Sequence, residues 1–146
     1  PWPRGCHPAG HPLAMMDISR RRLTLSAFNA WHKRPFEYGN ADCALVAAHV
    51  AKFITGTDFS ESFRYQSKAE ADSIIATHGG IEGMVRSILG EPSDQLEDGD
   101  PILLKLPLVG EALSVKLGDV AVALSEVRLI TVSDRYWQMG WHLCRV

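Results

Sequence analysis

The segment Phe36-Glu37-Tyr38-Gly39-Asn40-Ala41-Asp42-Cys43 places a cysteine directly before a long apolar run, after a glycine turn and a carboxylate. Aspartate caps helices by accepting backbone amides, so the pattern predicts that a helix begins at Cys43. The free amides and aligned dipoles of a first turn favour thiolate over thiol, whereas the charge of Asp42 opposes this effect. Cys43 is therefore a candidate nucleophile, with an inert, buried small residue as the alternative.

The N-terminal half of the chain predicts helices. Apolar residues recur at helical spacing from Asp17 to the basic residues before Pro35. The run after Asp42 is apolar almost all round, which indicates an enclosed central helix with Gly56 as its left-handed exit. Two shorter helices are predicted over 67–78 and 81–89.

The C-terminal half predicts strands over 102–106, 120–124, 127–132 and 136–146, with Gly118-Asp119 as a turn before the second. Helices that precede strands in this way are typical of an α+β fold. We expect a helical N-terminal half packed on a small, mostly antiparallel sheet.

The composition limits the number of domains and the classes of binding partner. The 146 residues, 46% hydrophobic and 22% charged, suit one globular domain, which we place at 17–146. Residues 1–16, rich in proline and ending in Met15-Met16, are expected to form an irregular arm and are read as non-native or upstream sequence. A formal net charge of -2 disfavours a nucleic-acid partner, and no apolar run is long enough to span a membrane.

Cysteine and histidine spacing predicts neither a metal nor a cofactor. The Cys6-His7 pair and His11 resemble a soft metal site, but a fourth ligand has to come from His142 or Cys144, so chance clustering is preferred. The cysteines are odd in number and widely spaced, which does not indicate disulfides and agrees with a reducing compartment. They are Cys6, Cys43 and Cys144.

A family resemblance follows from the order of several short motifs. The run Tyr38-Gly39-Asn40-Ala41-Asp42-Cys43-Ala44-Leu45-Val46, followed about seventy-five residues later by Gly118-Asp119-Val120, resembles the NlpC-type cysteine peptidases of the papain-like superfamily. Two further motifs resemble the helix exit and the final strand of the compact peptidases that are encoded in phage and prophage tail-gene clusters. They are Thr55-Gly56-Thr57-Asp58 and Gly140-Trp141-His142. The resemblance implies a papain-like sheet packed on the cysteine helix.

The same resemblance implies a catalytic site at Cys43, with Tyr38, Gly39 and Asp42 beside it. Hydrolysis also needs an imidazole that takes the thiol proton. The family places that histidine at the start of the strand after the Gly-Asp strand, but residues 125–131 contain none. The candidate substitutes are His142, on the last predicted strand, and His32, in the loop before the helix.

Two further histidines are poor candidates for the base. His49 lies about 240° around the helix from Cys43, so it is expected to point away from the sulfur and to pack or lie at a rim. His78 precedes Gly79-Gly80 and is expected at a helix end, where carbonyls or water satisfy its ring.

Two functions remain open. In the first, the chain is a phage or prophage tail-associated protein with a degenerate peptidase fold, which binds other tail-tip proteins in the virion tail or in the bacterial cytoplasm during assembly. In the second, it is an active cysteine hydrolase that cleaves peptide crosslinks of peptidoglycan as DNA enters the cell. The missing strand histidine favours the first, and the Asp42-Cys43 helix start favours the second.

Overall fold

The computed structural model describes residues 13–31, 42–125 and 128–144. Within these residues the chain forms four α-helices, and all of them precede the sheet. Short 3₁₀ turns follow the second helix, at Phe59–Ser62, and precede the last strand, at Asp134–Tyr136. The helices are α1 Leu13–Asn29, α2 Cys43–Thr55, α3 Lys68–Thr77 and α4 Ile81–Leu89.

A five-stranded antiparallel sheet forms the second half of the described chain. Its spatial order is β4-β3-β2-β1-β5, so β1 in the interior pairs with both the next strand and the last one. The mixed architecture confirms the predicted α+β class. The strands are β1 Pro101–Leu106, β2 Gly110–Leu117, β3 Val120–Leu124, β4 Leu129–Ser133 and β5 Trp137–Gly140.

Helix α2 is the central helix, as its all-round apolar sequence predicts. It packs against α1, β2 and β3. Val46, Val50 and Ile54 are almost completely buried, and each such side chain contributes about 1.5–3 kcal/mol of transfer free energy. Gly56 ends the helix in the left-handed conformation, with φ 80°, and its amide donates to the Lys52 carbonyl. These contacts fix the position of Cys43 relative to the sheet.

The sheet is buried on both sides at its centre. Leu103 belongs to the apolar cluster that includes α1 and α2, whereas Ile102 and Leu104 belong to a second cluster with Ala121 and Val132. Successive strand residues point to opposite faces, so the continuous run of apolar residues in β1 serves both clusters.

The prediction is wrong about two element boundaries and about one strand. Helix α1 begins at Leu13 instead of Asp17, because Ala14 and the two methionines after it favour helix. Strand β2 was not predicted, although its residues alternate between apolar and polar. The last strand ends at Gly140, so His142 lies after the sheet and not on a strand.

Candidate functional site

The start of α2 has the cap that the sequence predicts. Asp42 has extended backbone angles, φ -142° and ψ 174°, and its Oδ1 accepts the amide of Leu45 at 3.0 Å. Cys43 is the first helical residue and is a free thiol. The Asp42 carboxylate therefore satisfies an amide of the helix end and stands next to the sulfur.

Tyr65 holds the second oxygen of the cap. Its hydroxyl donates to Asp42 Oδ2 at 2.7 Å, and its ring stacks on Phe63 with centroids 6.4 Å apart. No sequence signal points to this partner, because Tyr65 lies in the irregular segment between the 3₁₀ turn and α3. The hydrogen bond fixes the carboxylate beside Cys43.

The Cys43 thiol is held in its protonated form. Its Sγ donates to the backbone carbonyl of Leu124, at the end of β3, over 3.2 Å. Burial, and after it the charge of Asp42, raise the pKa of the Cys43 thiol to about 11. The expected net preference for a thiolate is therefore wrong, because desolvation outweighs the helix dipole. The expected opposing effect of Asp42 is confirmed.

A groove of about 360 Å³ lies beside Cys43. The start of α2, the helices α3 and α4, and the β1–β2 hairpin form its walls. The charged side chains among the described residues of its lining are Asp42, Lys68, Asp72 and Glu111. Among the described residues that line it there is no histidine. The groove can hold a ligand next to the sulfur, but these side chains include no imidazole to take its proton.

His142 is buried outside the groove that contains Cys43. Its side chain is 3% exposed, and Nδ1 is 3.0 Å from Oδ2 of Asp100 while Nε2 is 3.6 Å from Oε2 of Glu97. His142 is not among the residues that line the Cys43 groove. The structure therefore brings His142 together with carboxylates of the loop before β1 and not with the sulfur.

Asp100 is the centre of this buried cluster. Its side chain is fully buried and accepts from Arg20 Nη2 at 2.6 Å and from the backbone amides of Glu97 and Leu143, each at 2.8 Å. Arg20 also donates to the carbonyl of Leu143. The cluster joins α1, the loop before β1 and the segment after β5. No pattern in the sequence predicts this role for Arg20.

The remaining predicted residues fall into two groups. The His49 ring packs on Phe53 and Trp31, with centroids 5.1 and 5.6 Å away, and His78 ends α3 with Nδ1 at 2.8 Å from the Ile74 carbonyl. Both positions confirm the predictions. Other candidates lie outside the described residues, namely Cys6, His7, His11, His32, Tyr38 and Gly39.

Cys144 is disulfide-bonded. The expectation from cysteine spacing that the chain forms no disulfide is therefore wrong at this position, since spacing along the sequence does not report which side chains meet in the fold. In the part of the chain that the structure describes, no three potential ligands converge to hold a metal ion. None of the described helices combines the length and apolar character that crossing a membrane requires.

The sequence of residues 17–143 matches a family described as a domain of unknown function (DUF6950). The chain belongs to the DUF6950 family. The matched residues include the whole sheet and α2, α3 and α4, so the Cys43 groove and the Asp100 cluster both belong to the DUF6950 domain. None of the curated proteins compared with the chain matches it.

Proposed function

We propose that this chain is a phage or prophage tail-associated protein, with a tail-tip or assembly role, that keeps a papain-like, NlpC-type fold and acts by binding instead of hydrolysis. The phage assignment rests on the resemblance of the Tyr38–Val46 run and the Gly118-Asp119-Val120 turn to the compact peptidases of tail-gene clusters. The central helix begins at the cysteine and packs on an antiparallel sheet, which supports the fold that we propose.

The state of the Cys43 thiol carries the proposal. A cysteine hydrolase needs a thiolate, or a thiol that an adjacent imidazole deprotonates. Here the Sγ donates a hydrogen bond to the Leu124 carbonyl, the thiol pKa is raised to about 11, and the described residues lining the groove include no histidine. His142, the best substitute base in the sequence, is not among the residues that line the groove. These contacts disfavour catalysis and leave the groove as a binding surface.

An active hydrolase of peptidoglycan crosslinks is the second candidate. The observation that favours it is the open groove at the cysteine-bearing helix start, where a nucleophile and a peptide would have to meet. The two candidates differ in whether Cys43 does chemistry, and this difference can be measured directly.

The test has one arm for each function. The purified chain and its Cys43→Ala variant are incubated with intact peptidoglycan and with soluble crosslinked muropeptides, and mass spectrometry follows the products. We expect no cleavage that depends on Cys43. In parallel, the tagged chain is expressed with the products of its neighbouring genes, and it is expected to co-purify with tail-tip proteins. Cleavage that disappears in Cys43→Ala would replace the proposal with the hydrolase, and failure to join any tail assembly would defeat the assembly role.

A further inference from the structure

Apolar side chains form most of the lining of the Cys43 groove. They come from both short helices and from the second strand of the hairpin: Ala71, Ile75, Ile81, Met84, Ala112 and Leu113. The volume of about 360 Å³ falls within the range of clefts that bind ligands. An apolar cleft of this size suits one or two aliphatic side chains of a ligand.

The tip of the β1–β2 hairpin extends this apolar surface beyond the groove. Val109 lines the groove and is nevertheless 70% exposed, and its neighbour Leu108 is fully exposed. Leu108 has a φ of 68°, in the left-handed region that side-chain-bearing residues rarely adopt. A ligand confined to the groove would not cover Leu108. The extended surface therefore favours a protein segment over a small molecule.

The charge of the groove determines which kind of protein segment it favours. Among the described residues that line it there are three carboxylates, those of Asp42, Asp72 and Glu111, and one ammonium, that of Lys68. Lys68 is already paired with Asp72, at 2.6 Å. The resulting excess of negative charge attracts a positively charged partner and repels an acidic one.

We infer that the groove binds an extended segment of a partner protein in which a short apolar core is flanked by lysine or arginine. The apolar core occupies the groove and contacts the Leu108–Val109 tip, while the basic residues face Asp72 and Glu111. The inference rests on the proposed function, since it supplies the partner chemistry for a groove whose cysteine does not react.

Three labelled peptides test the inference on the full chain by fluorescence anisotropy. The probe is Lys-Leu-Ala-Leu-Ala-Lys, and the controls are the same core between glutamates and a Ser-Gly core between lysines. We expect the probe to bind about tenfold more tightly than either control, with a preference over the glutamate peptide that shrinks as salt rises. Equal affinity for the three peptides overturns the inference.

Matched variants locate the binding. Val109→Ser is expected to weaken probe binding about tenfold, whereas Ile130→Ser, at an apolar residue of β4 that is 38% exposed and outside the groove, leaves it unchanged. Glu111→Gln should reduce the preference for the lysine-flanked peptide, and Asp94→Asn, at an exposed acid that does not line the groove, should not. Circular dichroism verifies that each variant is folded. Unchanged binding in folded Val109→Ser contradicts the inference.

The failure of the inference can be distinguished from the failure of the proposed function. Mass spectrometry of each peptide after incubation reports cleavage separately from binding. Cleavage of the bound probe that requires Cys43 defeats the binding-only function but leaves the peptide preference intact. Intact peptides without a preference defeat the inference alone.

Discussion

The guanidinium of Arg20 on α1 donates a 2.6 Å hydrogen bond to the carboxylate of Asp100, and both side chains are buried. Asp100 accepts three further hydrogen bonds, from Glu97, His142 and Leu143. The pair therefore connects α1 to the segments that precede and follow the sheet. Removing one member of a buried ion pair leaves the other charge without compensation, which is far more costly than the net value of the pair.

Arg20→Met is expected to lower the free energy of unfolding by about 3–5 kcal/mol, because Asp100 stays buried without its cation. Urea denaturation followed by circular dichroism measures the change. Arg22→Met is the matched control, since Arg22 is exposed on the same helix and its loss should cost less than about 0.5 kcal/mol. Similar losses in both variants would mean that the buried pair has no special role.

Gly99 lies in the buried loop before β1 and has a φ of 92°. A Cβ at this position would overlap Cδ1 of Ile54 and crowd the Thr24 hydroxyl, which belong to α2 and α1. Gly99→Ala is therefore expected to cost about 1–3 kcal/mol more than Gly79→Ala, because only Gly99 adds overpacking to backbone strain. Gly79 has a similar φ of 78°, but a Cβ there would meet no atom within 4 Å beyond its chain neighbours. Thermal and urea unfolding of the two variants give the comparison, and equal losses would contradict it.

Local signals predicted the helices well. Asp42, Gly56 and Ser67 act at the ends of α2 and α3 within a few residues of themselves, so a sequence pattern contains the whole interaction. Strand β2 also has a local signal that the predicted strands leave out, the apolar-polar alternation of Leu113, Ser114, Val115 and Lys116. The pairing of β1 with β5 depends on contacts between distant residues and could not be derived from local pattern.

The candidate site shows the same contrast between local signals and contacts of distant residues. Asp42 and Cys43 were predicted together because they are neighbours, whereas the partners of the Cys43 sulfur and of the Asp42 carboxylate, Leu124 and Tyr65, are 81 and 23 residues away along the chain. Burial, the main cause of the raised pKa, is a property of the assembled fold. The place of His142 in the buried cluster likewise depends on a contact with Asp100, which lies 42 residues earlier in the chain.

Asp42→Asn separates the cap from the charge. Asparagine caps helices about as well as aspartate, so the fold is expected to be retained, while the loss of the negative charge lowers the pKa of Cys43 below its value of about 11. The pH dependence of Cys43 alkylation measures this shift. Asp58→Asn makes the same change at the cap of the 3₁₀ turn, outside the groove, and should leave the Cys43 pKa unchanged. A pKa that does not fall in Asp42→Asn would contradict the assigned charge effect.

The raised pKa of Cys43 predicts both slow alkylation and a stability change in alkali. With a pKa of about 11 instead of the ordinary 9.0, the thiolate at pH 7 is about a hundredfold scarcer, so iodoacetamide should modify Cys43 slowly, as followed by mass spectrometry of its peptide. Because the folded state holds this proton more tightly than the unfolded chain, the protonated thiol contributes stability that is complete below pH 9 and is lost as pH rises through about 11. Between about pH 9 and 11 the free energy of unfolding of the wild type should therefore fall relative to that of Cys43→Ala. The titration of groups that both proteins share affects both values equally and cancels in the difference. Rapid alkylation at pH 7, or a difference that does not vary with pH, would show that burial does not hold the thiol protonated.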